Sequence, residues 1–146
     1  MSSQSVTLSE PLSDELFFVM ARASAIGSSH ANRALATLKL KVREYSALVI
    51  ACSDEAPTQR ELSRQLALDP SQIVAIVDSL EKRGLVERQP DPRDRRSKIV
   101  VATEAGRELS AKARTLSAES DQESLSMLTP DERDTLHTLL AKVAFA

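Results

Sequence analysis

The chain has 146 residues, 42% apolar, 27% charged and 3% aromatic, with three Gly and no Trp. That supplies one packed domain rather than a disordered chain, and the scarcity of aromatics and glycines argues for helices over sandwiches and barrels. A net charge of −2 excludes a polycation, no apolar run approaches the roughly 20 residues that span a bilayer, and the single cysteine, Cys52, excludes an intrachain disulfide or a multi-cysteine metal cluster.

Met1 to Ser13 holds no Lys or Arg and no apolar stretch, so no secretory leader is expected and the reading is cytoplasmic, with no membrane partner. Ser13-Asp14-Glu15 then opens a helical segment to about Lys39, with Leu16, Val19, Met20, Ala23 and Ile26 at helical spacing. A second helix is expected from about Val42 to Ser53, its apolar side made by Tyr45, Leu48, Val49 and Cys52. Pro57 breaks the chain, and Thr58-Gln59-Arg60-Glu61 is a capping box that starts a short helix with Leu62 and Leu66. Asp69-Pro70-Ser71-Gln72 starts another, with Ile73, Ile76, Val77 and Leu80 on one face and Gly84 as its stop.

After Gly84 the period changes. Leu85 to Gln89 and Lys98 to Ala102 read as two short strands, joined by the polar, proline-containing stretch Pro90 to Ser97. Thr103 caps a helix carrying Leu109, Ala113 and Leu116 to about Leu128, and Thr129-Pro130-Asp131-Glu132 opens a last helix with Leu136, Leu139, Leu140 and Val143. The order α-α-α-α-β-β-α-α, with a tight link from Gln65 to Asp69 before the hairpin, is that of a winged helix-turn-helix. The fold class expected is therefore mainly α with a small β-hairpin wing, flanked by helices at both ends.

Charge is distributed unevenly along this order. Lys82 to Lys98 carries seven basic residues against three acids, and Glu119 to Asp134 carries six acids against Arg133. A concentrated basic stretch in an acidic chain suggests a local anion site; taken alone it would equally describe a solvated loop. Its position at a hairpin tip after a capped helix pair favours DNA.

The second helix of such a motif enters the major groove N-terminus first. Ser71, Gln72, Val74 and Ala75 are the residues it would present, opposite Ile73, Ile76, Val77 and Leu80. Gln pairs with adenine and a small side chain such as Ala meets a thymine methyl, although Gln72 also completes the capping box. The tip Asp91-Pro92-Arg93-Asp94-Arg95-Arg96-Ser97 offers arginines to a narrow minor groove, with a neighbouring carboxylate able to pre-order one guanidinium.

The runs Val77 to Val86, Asp91 to Lys98 and Thr103 to Gly106 resemble the MarR family of bacterial transcriptional regulators, and length and helix order agree from about Ser13 to Val143. The resemblance implies a homodimer whose terminal helices (13–41 and 103–146) intertwine around one winged lobe per subunit (42–102). It implies binding to a pseudo-palindromic double-stranded operator, usually as a repressor relieved by a small ligand, and places the wing arginine at Arg95 with Asp94 as its ordering partner. The chain departs from its relatives at Ala75, where many carry a polar or basic residue, so base preference is not transferable. The apolar stripes of the terminal segments support a dimer independently, since a soluble monomer rarely exposes them.

In such proteins the ligand sits between the dimer helices and the lobe, which would be the first, second and fifth helices here. Phe17, Met20, Ile26 and His30 from the first and Arg43, Tyr45 and Cys52 near the second are the candidates, each with a core or surface role as the plainer reading. Few aromatics suggest an aliphatic cavity for a lipophilic or aromatic effector. Cys52 as a thiol-oxidation sensor is the alternative mechanism, disfavoured because it lies on an apolar stripe with no second cysteine to resolve it. A winged-helix protein-interaction module is the alternative function. An enzyme is not expected: there is no Gly-rich phosphate loop, no metal-ligand pair and no Ser-His-Asp set, and His30 and His137 lie in opposite terminal helices. No cofactor is expected either.

Overall fold

The computed structural model describes residues 12–146, so the reading of the first eleven residues lies outside the described part. The elements are α1 (Leu16–Leu35), a 3-10 turn (Ala36–Leu38), α2 (Val42–Ala51), α3 (Gln59–Leu66), α4 (Pro70–Lys82), β1 (Val86–Asp91), β2 (Asp94–Ala102), α5 (Glu104–Ser124) and α6 (Pro130–Ala144). Their order is the expected one. The first helix starts later than Ser13, its N-cap being Glu15 without a side-chain cap, and α5 ends at Ser124 rather than near Leu128.

Local capping chemistry sets most of the boundaries. Thr58 accepts the Glu61 N–H and Glu61 accepts the Thr58 N–H, both at 3.1 Å. Thr129 and Glu132 repeat the exchange at 3.2 and 2.9 Å, which satisfies two otherwise orphaned donors at each helix start. At the far end of α4, Gly84 takes φ +71, its N–H reaches the Glu81 carbonyl at 2.9 Å and the Leu85 N–H reaches Leu80 at 3.0 Å. This is the Schellman geometry that a glycine after the C-cap makes accessible.

The turn between α3 and α4 uses an alanine where glycine is the usual choice. Ala67 sits at φ +52, held by Ala67 N–H to Arg64 and Leu68 N–H to Ser63 bonds, while the Ser63 hydroxyl donates to the Leu68 carbonyl. A left-handed L-residue costs about 1–2 kcal/mol, so Ala67→Gly is expected to raise stability by up to about 1 kcal/mol after the glycine's own entropy is subtracted; urea unfolding of the two proteins checks this.

One core runs through the lobe. Leu35, Leu40, Leu48, Leu62, Ile73, Val77, Leu80, Val86 and Val100 are fully buried in it, drawn from α1, the α1–α2 link, all three lobe helices and both strands. The strands pair antiparallel with Val86 opposite Ala102 and Pro90 opposite Lys98, and the register shifts after Pro90. The Val100 N–H also reaches the Pro57 carbonyl at 2.7 Å, so the segment before α3 adds a short third edge to the hairpin. The strands extend well beyond the expected limits and leave only Pro92 and Arg93 between them. A backbone ladder extends through polar residues that carry no apolar alternation, and Pro90, lacking a donor, is compatible with a two-stranded edge.

Helices α1 and α5 pack along each other outside the lobe. α6 buries none of its residues. Leu16, Phe17 and Ile26 of α1 and Leu139, Leu140, Val143 and Phe145 at the C-terminal end are exposed, with Phe17 at 76% and Phe145 at 85%. Among the described residues no helix is long and apolar enough to cross a membrane.

Candidate nucleic-acid interface and the adjoining cleft

α4 buries Ile73, Val77 and Leu80 and exposes Ser71, Gln72, Val74 and Ala75. Its amphipathic spacing thus leaves the N-terminal turn, with its positive dipole end, facing solvent. The Gln72 Oε1 accepts the Asp69 N–H at 3.1 Å. A bidentate contact with adenine uses both the oxygen and the nitrogen of the amide; here the oxygen already accepts one bond from the cap, which leaves one lone pair and the NH2 donors for a base.

The wing tip is ordered by Asp91, a buried carboxylate (4% exposed) that sequence reading treated only as part of the charged loop. Its Oδ1 accepts the Arg93 N–H at 2.9 Å and the Arg93 Nε–H at 3.2 Å, and the same guanidinium donates to Glu61 Oε1 at 3.3 Å. Arg93 therefore ties the wing to the first turn of α3. Asp94 accepts the Arg96 N–H at 3.0 Å rather than engaging the Arg95 guanidinium. The side chains of Arg95 and Arg96 make no hydrogen bond or ion pair among the described residues, and both are exposed.

The Arg93 N–H, followed by its guanidinium, holds the Asp91 carboxyl below the ordinary carboxylate range. A carboxylate with a depressed folded-state value contributes stability that is present above its unfolded value and is lost as pH falls through the folded one. The wing latch is thus expected to stay closed at pH 5 and to open only in acid below the usual carboxylate range. Amide exchange of Arg93 across an acid titration follows it, and opening near pH 5 would contradict the assignment.

A residue not singled out in the sequence joins the wing to α4. Arg88 of β1 donates from Nη2 to Asp78 at 2.6 Å, from Nη1 to Glu81 at 2.8 Å and from Nε to Gln59 at 2.8 Å. Its partners lie ten, seven and twenty-nine residues away, so no local pattern announces them.

Beside α4 lies an open cleft of about 1300 Å³. Its walls are a stripe of small residues on α1 (Ala21, Ser24, Ala25, Ser28), the basic Lys39, Lys41 and Arg43 with the acidic Glu44 around the α1–α2 link, and Gln72, Ala75 and Ser79 of α4 with Arg83 at its C-cap. Of the expected ligand residues Arg43 lines it. Phe17 and Ile26 are exposed on α1, His30 Nδ1 accepts from the Arg33 guanidinium at 3.3 Å, and Tyr45 and Cys52 pack on the core; with Met20, none of these borders the cleft. α4, rather than the fifth helix expected at a ligand site, forms the third wall of this cleft. The cleft is more basic than the aliphatic cavity expected. Two links between α4 and the α1–α2 region cross it: Arg83 donates to the Leu38 and Lys39 carbonyls at 3.0 and 2.8 Å, and Ser79 donates to Glu44 at 3.0 Å.

A capped helix pair, a hairpin with exposed arginines and an exposed helix start define a winged helix-turn-helix DNA-binding protein. The MarR family model matches residues 40–98. The multiple antibiotic resistance protein MarR of Escherichia coli K12 is 31% identical over 77% of this chain and 78% of its own length. A crystal structure of a mutant of that E. coli protein complexed with operator DNA superimposes with a TM-score of 0.79 at 28% identity, covering 88% of this chain and 92% of that one. A MarR-family regulator from Rhodococcus sp. RHA1 gives 0.86 at 37% identity, with 94% and 99% covered. CouR from Rhodococcus jostii RHA1, solved bound to p-coumaroyl-CoA, gives 0.82 at 38% identity, with 94% and 96% covered. The chain belongs to the MarR family of transcriptional regulators, a family of regulators rather than enzymes.

Proposed function

We propose that the protein is a cytoplasmic, homodimeric repressor that binds a pseudo-palindromic operator and is released by a small ligand. The observation that carries this reading is the pairing of an exposed α4 N-terminus with two wing arginines that no carboxylate among the described residues engages. Ser71, Gln72, Val74 and Ala75 would meet base edges and phosphates, Arg95 and Arg96 the minor groove, and Arg93 and Asp94 would hold the wing in shape. The exposed apolar residues of α1 and of the C-terminal end suit burial against a second copy, which would set two α4 helices about 34–36 Å apart, one turn of DNA.

The cleft is the proposed effector site. CouR is described bound to p-coumaroyl-CoA, an aromatic thioester with anionic phosphates, and here Lys39, Lys41 and Arg43 form no ion pair among the described residues. That basic wall suits a ligand joining an aromatic or lipophilic part to an anionic one. Sedimentation of the protein alone and with duplex DNA from upstream of its own gene tests the reading. A dimer alone, one dimer per duplex, and dissolution of the complex by p-coumaroyl-CoA or p-coumarate are expected. A monomer would remove the dimer from the account, and a complex indifferent to both compounds would remove this effector class.

A further inference from the structure

We infer that Arg88 is a positioning residue for DNA binding, which makes an acidic recognition helix compatible with phosphates by neutralising Asp78 and Glu81. The inference rests on the DNA-binding reading of α4. Asp78 and Glu81 stand one turn apart on that helix, with side chains 61% and 42% exposed. Two uncompensated carboxylates there would repel a phosphate backbone, and like charges brought together across an interface oppose association strongly.

Arg88 is placed to prevent this. Its side chain is 18% exposed, and three of its nitrogens are held at once by Asp78, Glu81 and Gln59. The planar fork of a guanidinium serves several acceptors in fixed directions, which an ammonium does not. The Arg88 backbone N–H also donates to Glu81 Oε2 at 3.0 Å, so one carboxylate receives both a main-chain and a side-chain bond from the same residue. That backbone bond and the guanidinium together hold the Glu81 carboxyl below its ordinary range, so the contact is between two charged groups. Arg88 belongs to the wing strand and its partners to α3 and α4, so the same contacts hold β1 against the reading helix. With its donors directed inward, Arg88 acts through the two acids rather than as a phosphate contact, which separates it from Arg95 and Arg96.

The test compares DNA affinity, at two salt concentrations, for the unaltered protein, Arg88→Ala, and Arg88→Ala combined with Asp78→Asn and Glu81→Gln. Arg88→Ala is expected to weaken binding about tenfold, and the two neutral substitutions are expected to restore most of that loss although they return no contact to Arg88. Thermal unfolding is measured beside each titration, and Asp78→Asn/Glu81→Gln with Arg88 intact gives a folded comparison if Arg88→Ala is too unstable; it is expected to bind at least as tightly as the unaltered protein. Weakened binding that neutralising the acids fails to restore would overturn the inference, marking Arg88 as a direct phosphate contact or as a structural tie. Unchanged binding by Arg88→Ala would overturn it too. Absence of binding by the unaltered protein would overturn the DNA reading itself, and this inference with it.

Discussion

Replacing Arg95 and Arg96 together by alanine is expected to lower DNA affinity about ten- to hundredfold at moderate salt while leaving the thermal midpoint unchanged. Stability is untouched because neither guanidinium bonds to the protein among the described residues. Affinity falls because each arginine removed takes a counterion-releasing contact with it, so the slope of log K against log salt should shrink by roughly 0.9 per contact. The single substitutions divide the roles. The resemblance to relatives places the wing arginine at Arg95, yet the Asp94 carboxylate accepts the Arg96 N–H. Alternation along β2 sets Arg96 with Lys98 and the buried Val100 on the face turned to the helices, and Arg95 with Ser97 and Ile99 on the other. Arg96→Ala is accordingly expected to take the larger share of the loss. Arg93→Ala should differ from both: it releases Asp91 and Glu61 and so loosens the wing, which shows as faster amide exchange along the hairpin tip.

Gly106→Ala is the substitution expected to damage folding most. A Cβ at this buried position would fall far inside van der Waals contact distance of the Leu85 carbonyl oxygen, and at 3.2 Å from the Leu48 Cδ1. The same Leu85 oxygen accepts the Thr103 N–H at 3.0 Å, and Leu85 follows directly on the glycine turn that ends α4. The obstructing atom is main chain held from both sides, so relief requires α5 to shift away from the lobe. Overpacking of this kind costs about 1–3 kcal/mol or more, which for a chain of this length lowers the midpoint by roughly 2–4 °C per kcal/mol. Gly84→Ala makes the contrast, since open space surrounds Gly84 and only its positive φ is strained; about 1 kcal/mol is expected there. A Gly106→Ala protein as stable as the parent would refute the tight docking of α5 on the lobe.

These two positions also show what sequence reading reaches and where it stops. Thr58, Gln72, Gly84, Thr103 and Thr129 act on backbone groups three residues away or less for the helix they bound, so their chemistry is local and the element order follows from it; Asp69 is the N-cap of α4 without a side-chain cap bond. Gly106 was visible only as a motif member, because the group that forbids a side chain there is Leu85, brought near by tertiary docking. The Arg88 cluster and the Asp91–Arg93–Glu61 latch depend on partners across the fold and left no periodic trace. The expected ligand residues and the lining of the cleft differ for a related reason. An apolar stripe on α1 reads the same whether it faces a cavity or a second subunit, and here Phe17 and Ile26 lie open while Ala21, Ser24 and Ala25 line the cleft. Small and basic residues without apolar periodicity gave no comparable signal. Gln72 was the instructive intermediate: its two possible roles were both readable, and only the geometry shows that the cap holds the amide oxygen.

The most direct test of sequence-specific regulation is a titration of the purified protein against duplex DNA from upstream of its own gene, beside an unrelated duplex of equal length, at two salt concentrations. The account predicts tighter binding to the upstream duplex, a difference that persists as salt rises, and a footprint of two half-sites about one helical turn apart. Equal affinity for both duplexes, vanishing together as salt is raised, would contradict it.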